Sequence, residues 1–337
     1  MDAELRRRLD ELGRRGHRSV AAGVVDRGVR VSGAWPSGSE APHAESLFEI
    51  GSITKAFTGV LLADMVLRGE VGLDDPLSFH LERPRPAWRH REPTLLELAT
   101  HRSGLPNAPK GLSRRELAYS LGIGRRDPWA GVTEAEYGRL VGRESPRGAP
   151  GRRWRYSSLG FGLLGDALAA RAGRTYESLL AERILTPLGL TVTAVTVRAS
   201  SPARLMPGHA RNGRPRPPLQ DRMPAAGSLR SNVPDMLTFL TACLKPGPEP
   251  PGPALWLAQR PYARLSRSVQ MGLGWMLLTR RGKPRTVFHV GGTWGFRSFA
   301  GFEPTSGRAA VVLSNTARRV EGTGFELLHH SRCHQGR

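Results

Sequence analysis

Hydrophobic positions change their period along this chain, and the changes mark out its elements. Over residues 2–16 leucines recur among charged positions at the spacing of an amphipathic helix. Residues 19–26 and 29–35 are β-rich runs separated by Arg27-Gly28, a two-residue hairpin signal. A nearly continuous apolar stretch carrying Ile53, Ala56, Phe57, Val60, Leu61, Met65 and Val66 predicts a largely buried helix, with Gly69 suited to cap its C-terminus. Gly72-Leu73-Asp74-Asp75-Pro76 then turns the chain. Residues 76–224 give mostly short helical patterns between Pro/Arg-rich loops at 83–93 and 202–218, and 94–100 and 160–172 are the clearest helices. Asn232-Val233-Pro234-Asp235 reads as a helix start with Asn232 or Ser231 as cap. A Pro/Gly loop at 245–253 follows. Strand-like runs return at 272–279, 285–290, 296–303 and 308–314, before a short helix near 322–331. No internal repeat is present.

Strands at both ends with helices between them predict an α/β lobe assembled from residues 1–75 and 225–337. Residues 76–224 form a helical lobe, with a cleft where the two meet. Small-molecule sites favour such junctions.

Composition narrows the functional classes. At 337 residues the chain is long enough to bury a large core, and 39% hydrophobic and 23% charged residues are ordinary for a globular protein. No run approaches the roughly 20 apolar residues that span a bilayer, so no membrane partner is expected. The opening Met1-Asp2-Ala3-Glu4-Leu5-Arg6-Arg7-Arg8 carries no apolar signal core, and only 2 cysteines are present; both features predict a cytoplasmic protein. The formal charge of +21 raises nucleic-acid binding. Its arginines are scattered as pairs along the whole length, however, with no basic helix or zinc-ligand spacing, so no specific nucleic-acid partner is expected. No ligand cluster calls for a metal or other cofactor.

The chemistry is concentrated in Ser52-Ile53-Thr54-Lys55. One helical turn separates the serine from the lysine, so both side chains emerge on one face. A serine hydroxyl is a weak nucleophile until a neighbouring base takes its proton. Only four of the 50 basic residues are lysine: Lys55, Lys110, Lys245 and Lys283. Where arginine fills almost every cationic position, a retained lysine marks a site needing an amine that can lose a proton. Only Lys55 has a serine three residues earlier. Ser52, at the start of a buried helix, also meets backbone N–H groups that stabilise negative charge. Two further motifs stand out. Tyr156-Ser157-Ser158 precedes a Gly-rich helix and places a phenol among hydroxyls, where it is suited to relay a proton. His289-Val290-Gly291-Gly292 ends a strand in small residues, which admits a close backbone approach by a ligand.

In this order the three motifs resemble the penicillin-recognising serine hydrolases, most closely the branch of class C β-lactamases and related esterases and D-peptidases. Phe48-Glu49-Ile50-Gly51, the stretch from Leu98 to Pro106 and that from Ala225 to Ser231 are also family-like, and the resemblance covers roughly residues 18–315. It implies a β-lactamase/transpeptidase-like α/β fold, an antiparallel sheet flanked by helices beside an all-helical lobe. It implies Ser52 as acylated nucleophile, Lys55 as proton acceptor and Tyr156 as proton shuttle to the leaving group. The N–H groups of Ser52 and Gly292 would form the oxyanion hole, with His289 and Gly291 on the strand side of the cleft and Ser158 opposite. β-Lactamases usually carry Asn where this chain has Ser158, and Lys-Thr-Gly where it has His289-Val290-Gly291. His-x-Gly looks more like the esterases and D-peptidases, and His289→Lys is expected to favour anionic β-lactams. The expected function is hydrolysis of small-molecule esters or amides through a Ser52 acyl-enzyme. Alternatives are an acyltransferase resembling the statin side-chain transferases, a D-amino-acid peptidase, a weak β-lactamase, and a non-catalytic acyl-binding relative.

Overall fold

The computed structural model describes residues 2–36, 43–82, 85–120, 127–146, 148–197, 205–220 and 222–329. The Arg125-Arg126 pair, Cys333, parts of both expected Pro/Arg-rich loops and residues 330–331 of the expected last helix lie outside them. The strands, in chain order, are β1 Val20–Asp26, β2 Val29–Trp35, β3 Phe48–Glu49, β4 Gly208–His209, β5 Pro215–Arg216, β6 Arg230–Ser231, β7 Ala263–Arg264, β8 Val269–Met271, β9 Met276–Leu278, β10 Thr286–Gly292, β11 Arg297–Glu303 and β12 Arg308–Ser314. The helices are α1 Ala3–Arg14, α2 Thr54–Leu67, α3 Leu95–Ala99, α4 Lys110–Ser120, α5 Glu134–Gly142, α6 Ser158–Ala172, α7 Tyr176–Leu180, α8 Pro224–Gly227, α9 Val233–Leu244, α10 Gly252–Ala258 and α11 Glu321–His329.

Eight strands form one antiparallel sheet in the order β2-β1-β12-β11-β10-β9-β8-β7. β1 pairs with β12 from Val20↔Ser314 to Asp26↔Arg308, so the two ends of the chain meet inside one sheet, as the distribution of strand signals predicts. The β1–β2 hairpin closes through Arg27 and Gly28, both at positive φ (50° and 89°), a two-residue turn matching the twist of its strands. One face of the sheet carries α1 and α11. Leu5, Leu9 and Leu12 of α1 pack there with Phe299, Val312 and Leu328, which is why leucines recur at helical spacing in an otherwise charged segment.

The opposite face holds the main core. α2 is buried over almost its whole length, from Thr54 to Met65, hence its apolar residues run on without a polar face. Phe57 stacks on Phe239 of α9 at 3.9 Å between ring centroids, and Trp275 extends the stack. Residues of the middle segment, including Leu95, Leu98 and Leu159, share this core with Phe48, Val60 and Trp275 from the two ends. Among the described residues no helix is long and apolar enough to cross a membrane.

Of the expected strand at 272–279 only β9, Met276–Leu278, is strand; residues 272–275 form the turn that joins it to β8. Gly274 takes φ +72° there, and a β-carbon on it would collide with the backbone oxygen of Lys55. The turn presses directly on α2, and Gly59 of α2 meets Leu273 O in the same way. The glycines permit contact between backbones that side chains would hold apart.

Candidate active site

Ser52 sits in a single 3₁₀ turn, Gly51–Ile53, that runs straight into α2 at Thr54. This turn is fixed on three sides. Ile50 N donates to Leu229 O (3.0 Å), Thr54 Oγ1 caps Gly51 O (2.7 Å), and Ser298 Oγ of β11 donates to Ile50 O (2.8 Å). Gly51 adopts φ +52°, and any β-carbon there would strike the backbone of Gly292. A β-carbon on Gly291 would likewise collide with Ile50 O. Gly291 therefore admits the protein's own Ser52 turn, which the sequence did not suggest, while Gly292 lines the cleft.

That close approach brings the Gly292 backbone against the Ser52 turn. Thr293 N donates to Phe296 O (3.1 Å), so the alternation of an antiparallel ladder turns the N–H of Gly292 away from β11, toward the edge where Ser52 lies. Ser52 N is in the first turn of its helix, among the donors that have no intrahelical acceptor.

Lys55 is wholly buried. Its Nζ lies 3.1 Å from Ser52 Oγ, 3.3 Å from Ser158 Oγ and 2.6 Å from Ala226 O of α8. Tyr156 Oη donates to Ser52 Oγ at 2.7 Å. The Lys55 amine also stands over the Tyr156 ring, 5.0 Å from its centroid. Ser52, Lys55, Tyr156 and Ser158, from two segments about 100 residues apart, thus form one connected hydrogen-bonded group. Gly292 joins it through the backbone.

Tyr156 is held by its surroundings. Ser157 caps α6 by accepting from Gly160 N (2.8 Å), which sets the residue before it at the cleft. The His101 ring lies 4.4 Å from the Tyr156 ring, and its Nδ1 accepts from Ser157 N (3.2 Å). His101, at φ +58°, is buried, and that burial, with Lys55 and His289 nearby, holds it well below the usual imidazole range and therefore neutral.

His289 departs from expectation. It is 2% exposed, with Nδ1 donating to Val290 O (2.7 Å), and it lies beneath the cleft, not on its wall. Burial, reinforced by the charge of Lys55, pushes its pKa down to about 3. Residues 287, 289 and 291 alternate toward the α2 side of the sheet, so the histidine is directed into the helix layer. The strand-side wall is made instead by Gly292, Thr293 and Trp294.

The cleft containing Ser52 has a volume of about 1010 Å³. Its floor carries Ser52, Tyr156, Ser158 and Gly227. Its flank is rich in arginine (Arg15, Arg211, Arg216, Arg297, Arg318 and Arg319), against Glu116 and Glu321, which makes it favourable for anionic groups. Tyr119 of α4 meets Trp294 edge to face at 5.2 Å and so joins the helical and sheet sides. Ala226 O, His101 and the neighbouring Asn107 are the site components that motif reading missed. His101 and Ala226 fall in the family-like stretches, but a carbonyl acceptor leaves no residue-type signature.

A profile of the family described as Beta-lactamase matches residues 5–327. The chain is 27% identical over 319 residues to a protein of Escherichia coli (strain K12) named D-alanyl-D-alanine-carboxypeptidase/endopeptidase AmpH, covering 88% of this chain and 79% of that one. It is 26% identical over 306 residues to a beta-lactamase of the same organism, covering 80% and 76%. A protein named unguisins hydrolase ungD′ from Aspergillus campestris (strain IBT 28561) is 26% identical over 311 residues, covering 85% and 55%.

Proposed function

The chain belongs to the beta-lactamase family of serine hydrolases, and on that premise we propose that it cleaves small esters or amides through an acyl-enzyme on Ser52. The observation carrying this reading is the convergence of Lys55 Nζ (3.1 Å) and Tyr156 Oη (2.7 Å) on Ser52 Oγ. As an ammonium, Lys55 has three N–H groups for its three acceptors. As an amine, it keeps two N–H bonds, to Ala226 O and Ser158 Oγ, and turns its lone pair to the Ser52 hydroxyl. In that form Lys55 takes the Ser52 proton as Oγ attacks the scissile carbonyl. The developing oxyanion is received by the N–H groups of Ser52 and Gly292, a contribution of about 3 kcal/mol per donor. Tyr156 gives its phenolic proton to the departing alcohol or amine. The resulting phenolate takes a proton from the water that attacks the acyl-enzyme, and Lys55 returns its proton to Ser52 Oγ as the acid leaves.

A second reading, a D-amino-acid peptidase, is supported by the similarity to the relative named as a carboxypeptidase/endopeptidase and by the arginine flank, which suits a peptide carboxylate. Transfer of the acyl group to an alcohol or amine uses the same first half of the reaction. A cytoplasmic location belongs to the leading proposal and is supported by the scarcity of cysteine, 2 in 337 residues.

A panel of p-nitrophenyl esters, D-alanyl anilides and nitrocefin, run with wild type and Ser52→Ala, tests the reading. We expect ester turnover with an initial burst, abolished in the variant. Anilide cleavage with esters untouched favours the peptidase, and turnover surviving in Ser52→Ala removes Ser52 as nucleophile.

A further inference from the structure

Lys55 and Thr58 stand three residues apart on α2, so their side chains leave the same face of the helix. Both are fully buried, and both reach α8. Lys55 Nζ donates to Ala226 O (2.6 Å), and Thr58 Oγ1 donates to Ala225 O (2.7 Å). α8 is a single turn, Pro224–Gly227, and the last carbonyls of so short a helix have no intrahelical donor. α2 supplies both donors, the amine for one carbonyl and the hydroxyl for its neighbour. Only the first of these bonds enters the proposed reaction.

The second bond is itself oriented. Thr58 Oγ1 also lies 2.7 Å from Tyr176 Oη of α7 and 3.2 Å from Thr54 O. A carbonyl can only accept, so the single Thr58 proton goes to Ala225 O, the nearer one, and Tyr176 is the donor in the hydroxyl pair. Burial pushes the Tyr176 phenol well above its usual range, so it keeps the proton it donates. Gly165 of α6 makes room for this contact, since a β-carbon there would strike Cβ of Ala225. Lys55 needs Ala226 O in one place. When α8 drifts, the N–H bound to that carbonyl follows it, and the lone pair turns off the Ser52 hydroxyl 3.1 Å away.

We propose that Thr58 and Tyr176 are positioning residues for the reaction: their paired hydroxyls hold α8 so that Ala226 O orients Lys55 toward Ser52 Oγ. They act through the α8 backbone, and neither lines the cleft that contains Ser52. Their loss therefore slows acylation without weakening the binding of substrate. The inference rests on the acyl-enzyme reading.

Thr58→Val keeps the shape of the side chain and removes its hydroxyl, Thr58→Ser restores the hydroxyl, and Tyr176→Phe removes only the phenolic oxygen. The burst of p-nitrophenol release from a p-nitrophenyl ester, followed well below each melting temperature, reads the rate of acylation and its dependence on ester concentration. A misplacement on the order of 1 Å costs up to about 10²-fold, so the burst rate in Thr58→Val is expected to fall about 10–100-fold, at a half-saturating concentration within about twofold of wild type. Thr58→Ser is expected to recover most of that loss. Tyr176→Phe leaves Thr58 bonded to Ala225 O but free to turn, and a fall of about 3–10-fold is expected. A purely structural role lowers the melting temperature and leaves the burst of the folded protein unchanged. A wild-type burst rate in folded Thr58→Val, or a Thr58→Ser protein as slow as Thr58→Val, overturns the assignment. Should Thr58→Val not fold, a wild-type burst rate in Tyr176→Phe overturns it equally. Ester turnover that is absent from wild type, or that persists in Ser52→Ala, defeats the acyl-enzyme reading itself and this proposal with it.

Discussion

Tyr156 and His289 lie near the same amine, and substitution separates their roles. Tyr156→Phe removes the hydroxyl proposed to donate the proton while leaving the ring packed on His101 at 4.4 Å. We expect kcat to fall about 10²–10⁴-fold with an unchanged melting temperature; unaltered kinetics would reassign Tyr156 to packing. His289→Lys places a second ammonium in the buried layer already containing Lys55. The expected result is a loss of about 3–5 kcal/mol in denaturant unfolding, the range for a buried uncompensated charge, and not the gain on anionic β-lactams inferred from sequence. A stable His289→Lys protein with improved β-lactam turnover would show that the side chain reaches the cleft. At this scale the convergence of Ser52, Lys55 and Tyr156 was legible, because their motifs are distinctive in residue type and order. The depth of His289 was not, because one histidine in an apolar strand has the same signature facing a helix or a cleft.

β10 brings Gly292 to Ser52 only because Gly291 lets the strand lie against Ile50 O, whose oxygen also accepts from Ser298. Gly291→Ala drives the strand off the Ser52 turn. Displacing the Gly292 N–H from the oxyanion position is expected to lower kcat about 10²–10³-fold, with KM less affected. Steady-state kinetics on a p-nitrophenyl ester measure this, and an active Gly291→Ala enzyme would count against Gly292 as an oxyanion donor. The same kind of contact explains what the strand signals concealed. The strand-like run predicted at 272–279 is strand only from Met276 to Leu278, because its first half turns where Gly274 approaches Lys55 O. α1, α2, α6 and α9 were readable from period and caps, with Asn232 Oδ1 accepting from Asp235 N as expected. Close approach between distant segments leaves only glycines in the sequence, with nothing to identify the partner.

Across the whole molecule, buried histidines make stability depend on pH. His289 is held to about 3 and His17 to about 4, the latter by burial and then by Arg318 and Arg15, while His101 is also strongly lowered. The unfolded chain binds these protons near pH 6.5 and the folded one does not, so stability is fully present above 6.5 and falls as pH drops toward 4 and then 3. Unfolding free energies from urea titrations across that window are expected to decline by an amount on the order of a few kcal/mol, less steeply in His289→Gln. The antiparallel sheet assembled from both chain ends was legible from strand placement, whereas the shared core was not, since tertiary contacts between segments 76–224 and the rest carry no local pattern. That division into lobes remains our proposal for how the cleft is built. The central claim is covalent, and intact-protein mass spectrometry with peptide mapping after rapid mixing with a p-nitrophenyl ester tests it most directly. One acyl group on Ser52, absent in Ser52→Ala, is the predicted result; an acyl group mapped elsewhere, or equal acylation of the variant, would contradict it.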